Sequence, residues 1–109
     1  MENELQVLYE TILARKENAE VGSYTAYLYE KGIEKILKKV GEECTEVIIA
    51  SMKENNNPEI VNELGDLFYH LFVLMAEKGI SLDDVNDELN RRSQKTGNLK
   101  PERKAIENY

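Results

Sequence analysis

One cysteine, no tryptophan, two prolines and six glycines are spread over 109 residues. A single thiol excludes a disulfide framework and any cysteine-rich zinc site. So few chain breakers leave room for long uninterrupted elements. Together with an aromatic content of only 7%, they argue against short-stranded sandwiches and barrels. Basic residues are also scarce, 14 against 21 acidic, for a net charge of −7. That balance argues against nucleic acid as a partner, because its backbone must be met by clustered cations. No apolar run approaches the roughly 18 residues of a membrane span. The start, Met1-Glu2-Asn3-Glu4, has neither the basic segment nor the apolar stretch of a secretory signal. What is present, 41% apolar and 32% charged residues, predicts one globular domain over residues 1–109. Its expected compartment is the cytoplasm.

The apolar residues recur at helical spacing. Leu5, Leu8 and Ile12 predict a first helix from about Glu2 to Asn18. Ser23 is a candidate N-cap for a short helix, Tyr24 to Lys31, stopped by Gly32. A second long helix runs from Ile33 to Glu54. Its apolar stripe comprises Ile33, Ile36, Leu37, Val40, Cys44, Val47, Ile48 and Ser51, which makes Cys44 a core residue. Asn57-Pro58 restarts the chain, Asn57 as cap and Pro58 in the first helical position. The third long helix spans Ile60 to Ala76 and closes at Lys78-Gly79. Ser81 and Asp84 form a capping-box pattern that opens a last helix reaching about Arg92. The core is expected over residues 5–92, and the polar segment 93–109 receives no role. Nothing alternates with period two, so the fold class is all-α, an antiparallel helical bundle. Leu67, Phe68, Leu71, Phe72, Leu74 and Met75 supply more apolar surface than one thin bundle covers. A homodimer, or a dimer of dimers, is expected through them; a buried central helix in a monomer is the plainer alternative.

The chemistry lies in the acidic residues. Glu42, Glu43 and Glu46 form an EExxE run on the second long helix, and Glu63 and Asp66 form ExxD on the third. With Glu42 at zero on a helical wheel, Glu46 lies at about 40° and Glu43 at about 100°. Glu63 and Asp66, three apart, also share a face. Folded as a hairpin, the two helices bring five carboxylates together. Such a cluster repels itself unless protons or a hard divalent cation intervene. Mg²⁺ is the ion that most naturally bridges carboxylates to substrate phosphates. Exposed glutamate pairs are ordinary in an acidic chain, so EExxE alone is weak; the ExxD run after a hairpin-length gap strengthens it. Lys35 and Lys39 fall in the carboxylate sector one to two turns earlier. They are either surface ion-pair partners of residues such as Glu43 or receivers of phosphate. His70, four residues after Asp66, is either a satisfied core histidine or an outer partner that hydrogen-bonds a metal-bound carboxylate or water.

These motifs resemble the all-α, MazG-like NTP pyrophosphohydrolase superfamily. The likeness is closer to the phosphoribosyl-ATP pyrophosphohydrolase family. It rests on Ser23-Tyr24-Thr25, the run Lys38-Lys39-Val40-Gly41-Glu42-Glu43, Glu46-Val47, and Glu63-Leu64-Gly65-Asp66-Leu67-Phe68-Tyr69-His70. The resemblance implies Mg²⁺-dependent hydrolysis of 1-(5-phospho-ribosyl)-ATP to the AMP derivative and diphosphate, the second step of histidine biosynthesis. It implies Glu43, Glu46, Glu63 and Asp66 as metal ligands, with Glu42 as a further ligand or the group that positions water. Arg15, Lys16, Ser23, Tyr24 and Thr25 become candidates for the remainder of a small nucleotide substrate. The zinc-dependent cyclohydrolase fused to this family in many organisms is not expected within these 109 residues. Two other readings stand beside this one: a house-cleaning (d)NTP pyrophosphohydrolase with a different base pocket, and a non-catalytic helical dimerisation module.

Overall fold

A computed structural model describes residues 3–95. Five helices follow one another: α1 (Glu4–Glu17), α2 (Tyr24–Lys31), α3 (Ile33–Ser51), α4 (Asn57–Lys78) and α5 (Leu82–Ser93). No strand occurs among the described residues. The expected all-α class is the observed one. None of these helices is long and apolar enough to cross a membrane. Segment 96–109, most of the unassigned polar segment, lies outside the described residues, as does Glu2 at the expected start of the first helix.

The helix ends follow from local chemistry. The Asn3 side chain accepts a hydrogen bond from the Leu5 amide at 2.9 Å and opens α1. Ser23 does the same for α2 through Ala26, and Ser81 with Asp84 completes the expected capping box of α5. Gly32, at φ +87, lets the chain turn from α2 into α3 through a conformation side chains resist. Two boundaries differ from expectation. Helix α3 stops at Ser51, not Glu54, because Asn55 adopts a left-handed φ of +54 and Asn56 Nδ2 donates to the Ala50 carbonyl. Asn56, not Asn57, therefore stands before α4, and its side chain serves the end of α3 rather than capping α4. Helix α4 begins at Asn57 with Pro58 in its first turn and continues to Lys78, where Gly79 terminates it at φ +74.

Helices α3 and α4 form the principal hairpin, and α1 and α2 lie against it. The core gathers Tyr9 and Ile12 from α1, Leu28 from α2, Ile36 from α3, and Phe72, Val73 and Ala76 from α4. Tyr9 meets Phe72 edge to face at 5.7 Å, and its hydroxyl bonds the Ile80 carbonyl. Each fully buried aliphatic side chain here contributes about 1.5–3 kcal/mol. This core lies beside the C-terminal half of α4, leaving the acidic half of the hairpin open at the other end.

Apolar burial departs from the expected stripe. On α3 the buried positions are Ile36, Glu43 and Ala50, two turns apart on one line. Leu37, Ile48, Ser51 and Cys44 are exposed, so Cys44 is not a core residue. The wheel identifies an apolar arc, but only its flank nearest Glu43 turns toward α4. Phe72 is likewise buried within its own chain, 7% exposed, and is unavailable to a second subunit.

Candidate active site

The α3–α4 hairpin delivers the acidic residues unevenly. Glu43, Glu63 and Asp66 each offer a carboxylate oxygen, and all three oxygens lie within 4.8 Å of one another. Glu43 and Glu63 are only 8% exposed, whereas Asp66 opens to solvent. Glu63 Oε2 is buried without a hydrogen-bond partner. A charged oxygen left so costs free energy unless something electropositive meets it. Burial, reinforced by Glu59, Glu46 and Asp66, pushes the Glu63 carboxyl up to about 7. Oxygen-only donors, close convergence and an unpartnered buried carboxylate oxygen suit a hard divalent cation such as Mg²⁺.

Glu46 stands just outside this trio. It is exposed and shares a cleft of about 260 Å³ with Lys53, Asn56, Glu59 and Glu63. Glu59 escaped the sequence reading although it lies four residues before Glu63, on the same face of α4. The spacing ExxxExxD carried that signal. Glu42 turns to solvent and accepts a hydrogen bond from Lys39 Nζ at 3.2 Å. That bond, with Lys38 and Lys35 nearby, holds the Glu42 carboxyl below the ordinary carboxylate range.

Lys39 bridges outward and inward at once, reaching Glu43 Oε1 at 3.5 Å as well as Glu42. Its ammonium sits at the mouth of the cluster, with half-buried Lys35 one turn earlier on α3. Tyr24 completes this wall from α2. Burial raises its phenol, and Lys39 and Glu43 both act on it electrostatically. Its ring stacks between Tyr27 and Tyr69, each at 6.0 Å.

Other expected residues are placed elsewhere in the chain. Arg15 pairs with Glu20 at 3.1 Å. Lys16 Nζ donates to the Ala76 carbonyl, ten residues beyond Asp66 and so about 15 Å along α4. Ser23 is engaged as the α2 cap, and the buried Thr25 hydroxyl bonds the Tyr69 hydroxyl. His70 touches no carboxylate side chain: Nδ1 meets the main-chain carbonyl of Asp66 and Nε2 meets the Tyr24 hydroxyl. The expected contact from His70 to a ligand carboxylate is thus replaced by one to the backbone that carries it.

Comparison with known proteins gives a consistent set of likenesses. Residues 5–93 match the family model described as phosphoribosyl-ATP pyrophosphohydrolase. A phosphoribosyl-ATP pyrophosphatase of Clostridium novyi is 56% identical over 104 residues, 95% of this chain and 94% of that protein. One from Listeria welshimeri is 59% identical over 103 residues, 94% of this chain and 97% of that protein. A third, from Leuconostoc mesenteroides, is 58% identical over 88 residues, 81% and 75% of the two chains.

Proposed function

The chain belongs to the phosphoribosyl-ATP pyrophosphohydrolase family, and we propose on that footing that it hydrolyses 1-(5-phospho-ribosyl)-ATP to the AMP derivative and diphosphate in histidine biosynthesis. The observation that carries the chemistry is the meeting of Glu43, Glu63 and Asp66 around an unpartnered buried oxygen. Glu43, Glu63 and Asp66 would hold Mg²⁺, with Glu46 at the open side. Bound there, Mg²⁺ supplies positive charge to the phosphoanhydride oxygens and to the departing diphosphate.

The protein's own groups do the rest. Lys39 meets the cluster with its ammonium charge, with Lys35 one turn earlier on α3, and the two receive phosphate oxygens that the acidic residues alone repel. To do so Lys39 shifts part of its bonding from Glu42 and Glu43 to the substrate. Glu42, released from Lys39, and Glu46 are the solvent-facing carboxylates able to accept a proton from an attacking water. Tyr24 walls the site on the α2 side.

The proposed enzyme acts as a homodimer in the cytoplasm. Leu37, Ile48, Ile49 and Met52 stand exposed on α3, Ile48 at 61% and Met52 at 80%. No residue of α5 is buried, although Val85 and Leu89 share one of its faces. A radius of gyration of 17.0 Å exceeds the roughly 13 Å of a compact 100-residue domain. So open a chain gains stability by covering these surfaces with a second copy.

Two measurements test the activity. Purified protein should release diphosphate from phosphoribosyl-ATP only with Mg²⁺ present, and its gene should rescue a histidine auxotroph lacking this step. Faster turnover of ordinary (d)NTPs than of phosphoribosyl-ATP, with no rescue, would overturn the substrate assignment. Absence of any hydrolysis would leave a helical dimerisation module.

A further inference from the structure

We propose that His70 is a positioning residue that fixes Tyr24 as a hydrogen-bond acceptor beside the turn of α4 that carries Asp66. His70 is 6% exposed, yet both ring nitrogens are engaged. Nδ1 lies 2.7 Å from the Asp66 main-chain carbonyl, and Nε2 lies 3.1 Å from the Tyr24 hydroxyl. A carbonyl oxygen can only accept, so the neutral ring carries its proton on Nδ1. Nε2 then offers a lone pair, and the Tyr24 hydroxyl donates into it.

The consequence falls on the other side of the phenol. Tyr24 remains 44% exposed, and its hydroxyl feels both Lys39 and Glu43. With its proton committed to His70, that oxygen has only lone pairs left to offer on its exposed side. Lone pairs complement a hydroxyl or amine of a ligand and do not complement an ionised phosphate oxygen, which has no proton to give. Tyr24 therefore reads the ribosyl or base portion of the substrate, while Lys39 meets the phosphates. This rests on the proposed nucleotide substrate. Its orientation is maintained from several sides: Tyr69 stacks on the Tyr24 ring, the Thr25 and Tyr69 hydroxyls bond one another, and the His70 ring meets Tyr24 edge-on at 5.8 Å. Two consecutive residues of α2 are thereby fastened to two consecutive residues of α4.

Ring-nitrogen NMR of the full chain, without substrate at pH 8, should show His70 protonated on Nδ1 and bare on Nε2. In steady-state kinetics with phosphoribosyl-ATP, Tyr24→Phe should raise KM about fivefold, the loss of one neutral hydrogen bond, with little change in kcat. His70→Asn keeps a donor near Asp66 but is too short to reach Tyr24, and should raise KM by at most the Tyr24→Phe factor, since the freed hydroxyl can still accept. His70→Gln places a carbonyl near the Nε2 position and should recover most of that loss. The double variant Tyr24→Phe/His70→Asn should be no worse than Tyr24→Phe alone. A ring protonated on Nε2, an unchanged KM in Tyr24→Phe, or additive losses in the double variant would each overturn the proposal. If His70→Asn loses helicity, the tautomer and Tyr24→Phe still decide. Failure of the unmodified protein to turn over phosphoribosyl-ATP would instead count against the substrate assignment, and the NMR signature is read independently of it.

Discussion

Glu43 on α3 and Glu63 on α4 are both buried and bring carboxylate oxygens within 4.8 Å across the hairpin. The packing that forces them together is visible on α3. Ile36 and Ala50 lie seven residues before and after Glu43 on the same buried line. Burying Ile36 and the rest of the core offsets the repulsion that the two carboxylates create. The hydrophobic interior therefore holds open a site that only a cation or a proton can satisfy.

Metal binding should show as stability. A cation that binds the folded cluster and has little affinity for the unfolded chain stabilises by mass action, about 2.7 kcal/mol at 100 times its Kd. Melting temperature should rise with MgCl₂ beyond the effect of NaCl at equal ionic strength. Glu63→Gln removes the buried charge, so the metal-free variant should melt at the same temperature as the parent or higher. Its response to Mg²⁺ should be blunted and its turnover abolished. Superimposable melts of the unmodified protein in the two salts would rule out a metal site at the cluster.

Role separation should appear between Glu46 and Lys39. Glu46→Gln keeps shape and helicity but removes charge beside Glu63, so turnover should collapse while circular dichroism is unchanged. Lys39→Ala removes the cation at the mouth of the cluster. It should raise KM for phosphoribosyl-ATP, and lower kcat to the extent that its phosphate contact strengthens in the transition state. Near-normal activity of Glu46→Gln at limiting Mg²⁺ would exclude Glu46 from the site.

Association should depend on α3. Ile48 is exposed on the same helix as Glu43 but on the side away from the core. Ile48→Asp should leave helicity intact and shift the mass measured by light scattering from dimer to monomer at micromolar concentration. A parent protein that is already monomeric under those conditions would refute the assembly.

Helix positions and the meeting of Glu43, Glu63 and Asp66 were legible because each rests on local spacing: Ser81 with Asp84, Gly79 after Lys78, ExxD on one face of α4; that Glu42 and Glu46 stand outside the trio was not. The direction of α3 was not. A wheel locates the apolar arc but not which flank faces α4, and here the inward line passes through Glu43, leaving Leu37, Cys44 and Ile48 outside. Nor was the pairing of His70 with Tyr24 legible, since it joins residues 46 positions apart through tertiary packing. Arg15 and Lys16 became substrate candidates only through the family resemblance; α1 packs against α4, and there Lys16 bonds the Ala76 carbonyl.

Proton uptake by Glu63 should couple stability to pH. In the metal-free fold the Glu63 carboxyl is pushed up to about 7, first by burial and then by Glu59, Glu46 and Asp66. An unfolded glutamate titrates near about 4.3. Between those values the folded chain retains a proton that the unfolded chain has lost, so this group favours folding at low pH. Its contribution is complete below the unfolded value and disappears as pH rises through the folded one. In EDTA, stability attributable to Glu63 should therefore fall between roughly pH 4 and 7, and Glu63→Gln should flatten that dependence. Mg²⁺ requires the ionised carboxylate, so binding near pH 6 should release close to one proton per site, and near pH 8.5 almost none. Calorimetry in two buffers of different ionisation enthalpy measures that release directly. An equal heat in both buffers at pH 6 would mean that Glu63 is already ionised without metal, and that its buried oxygen is satisfied in some other way.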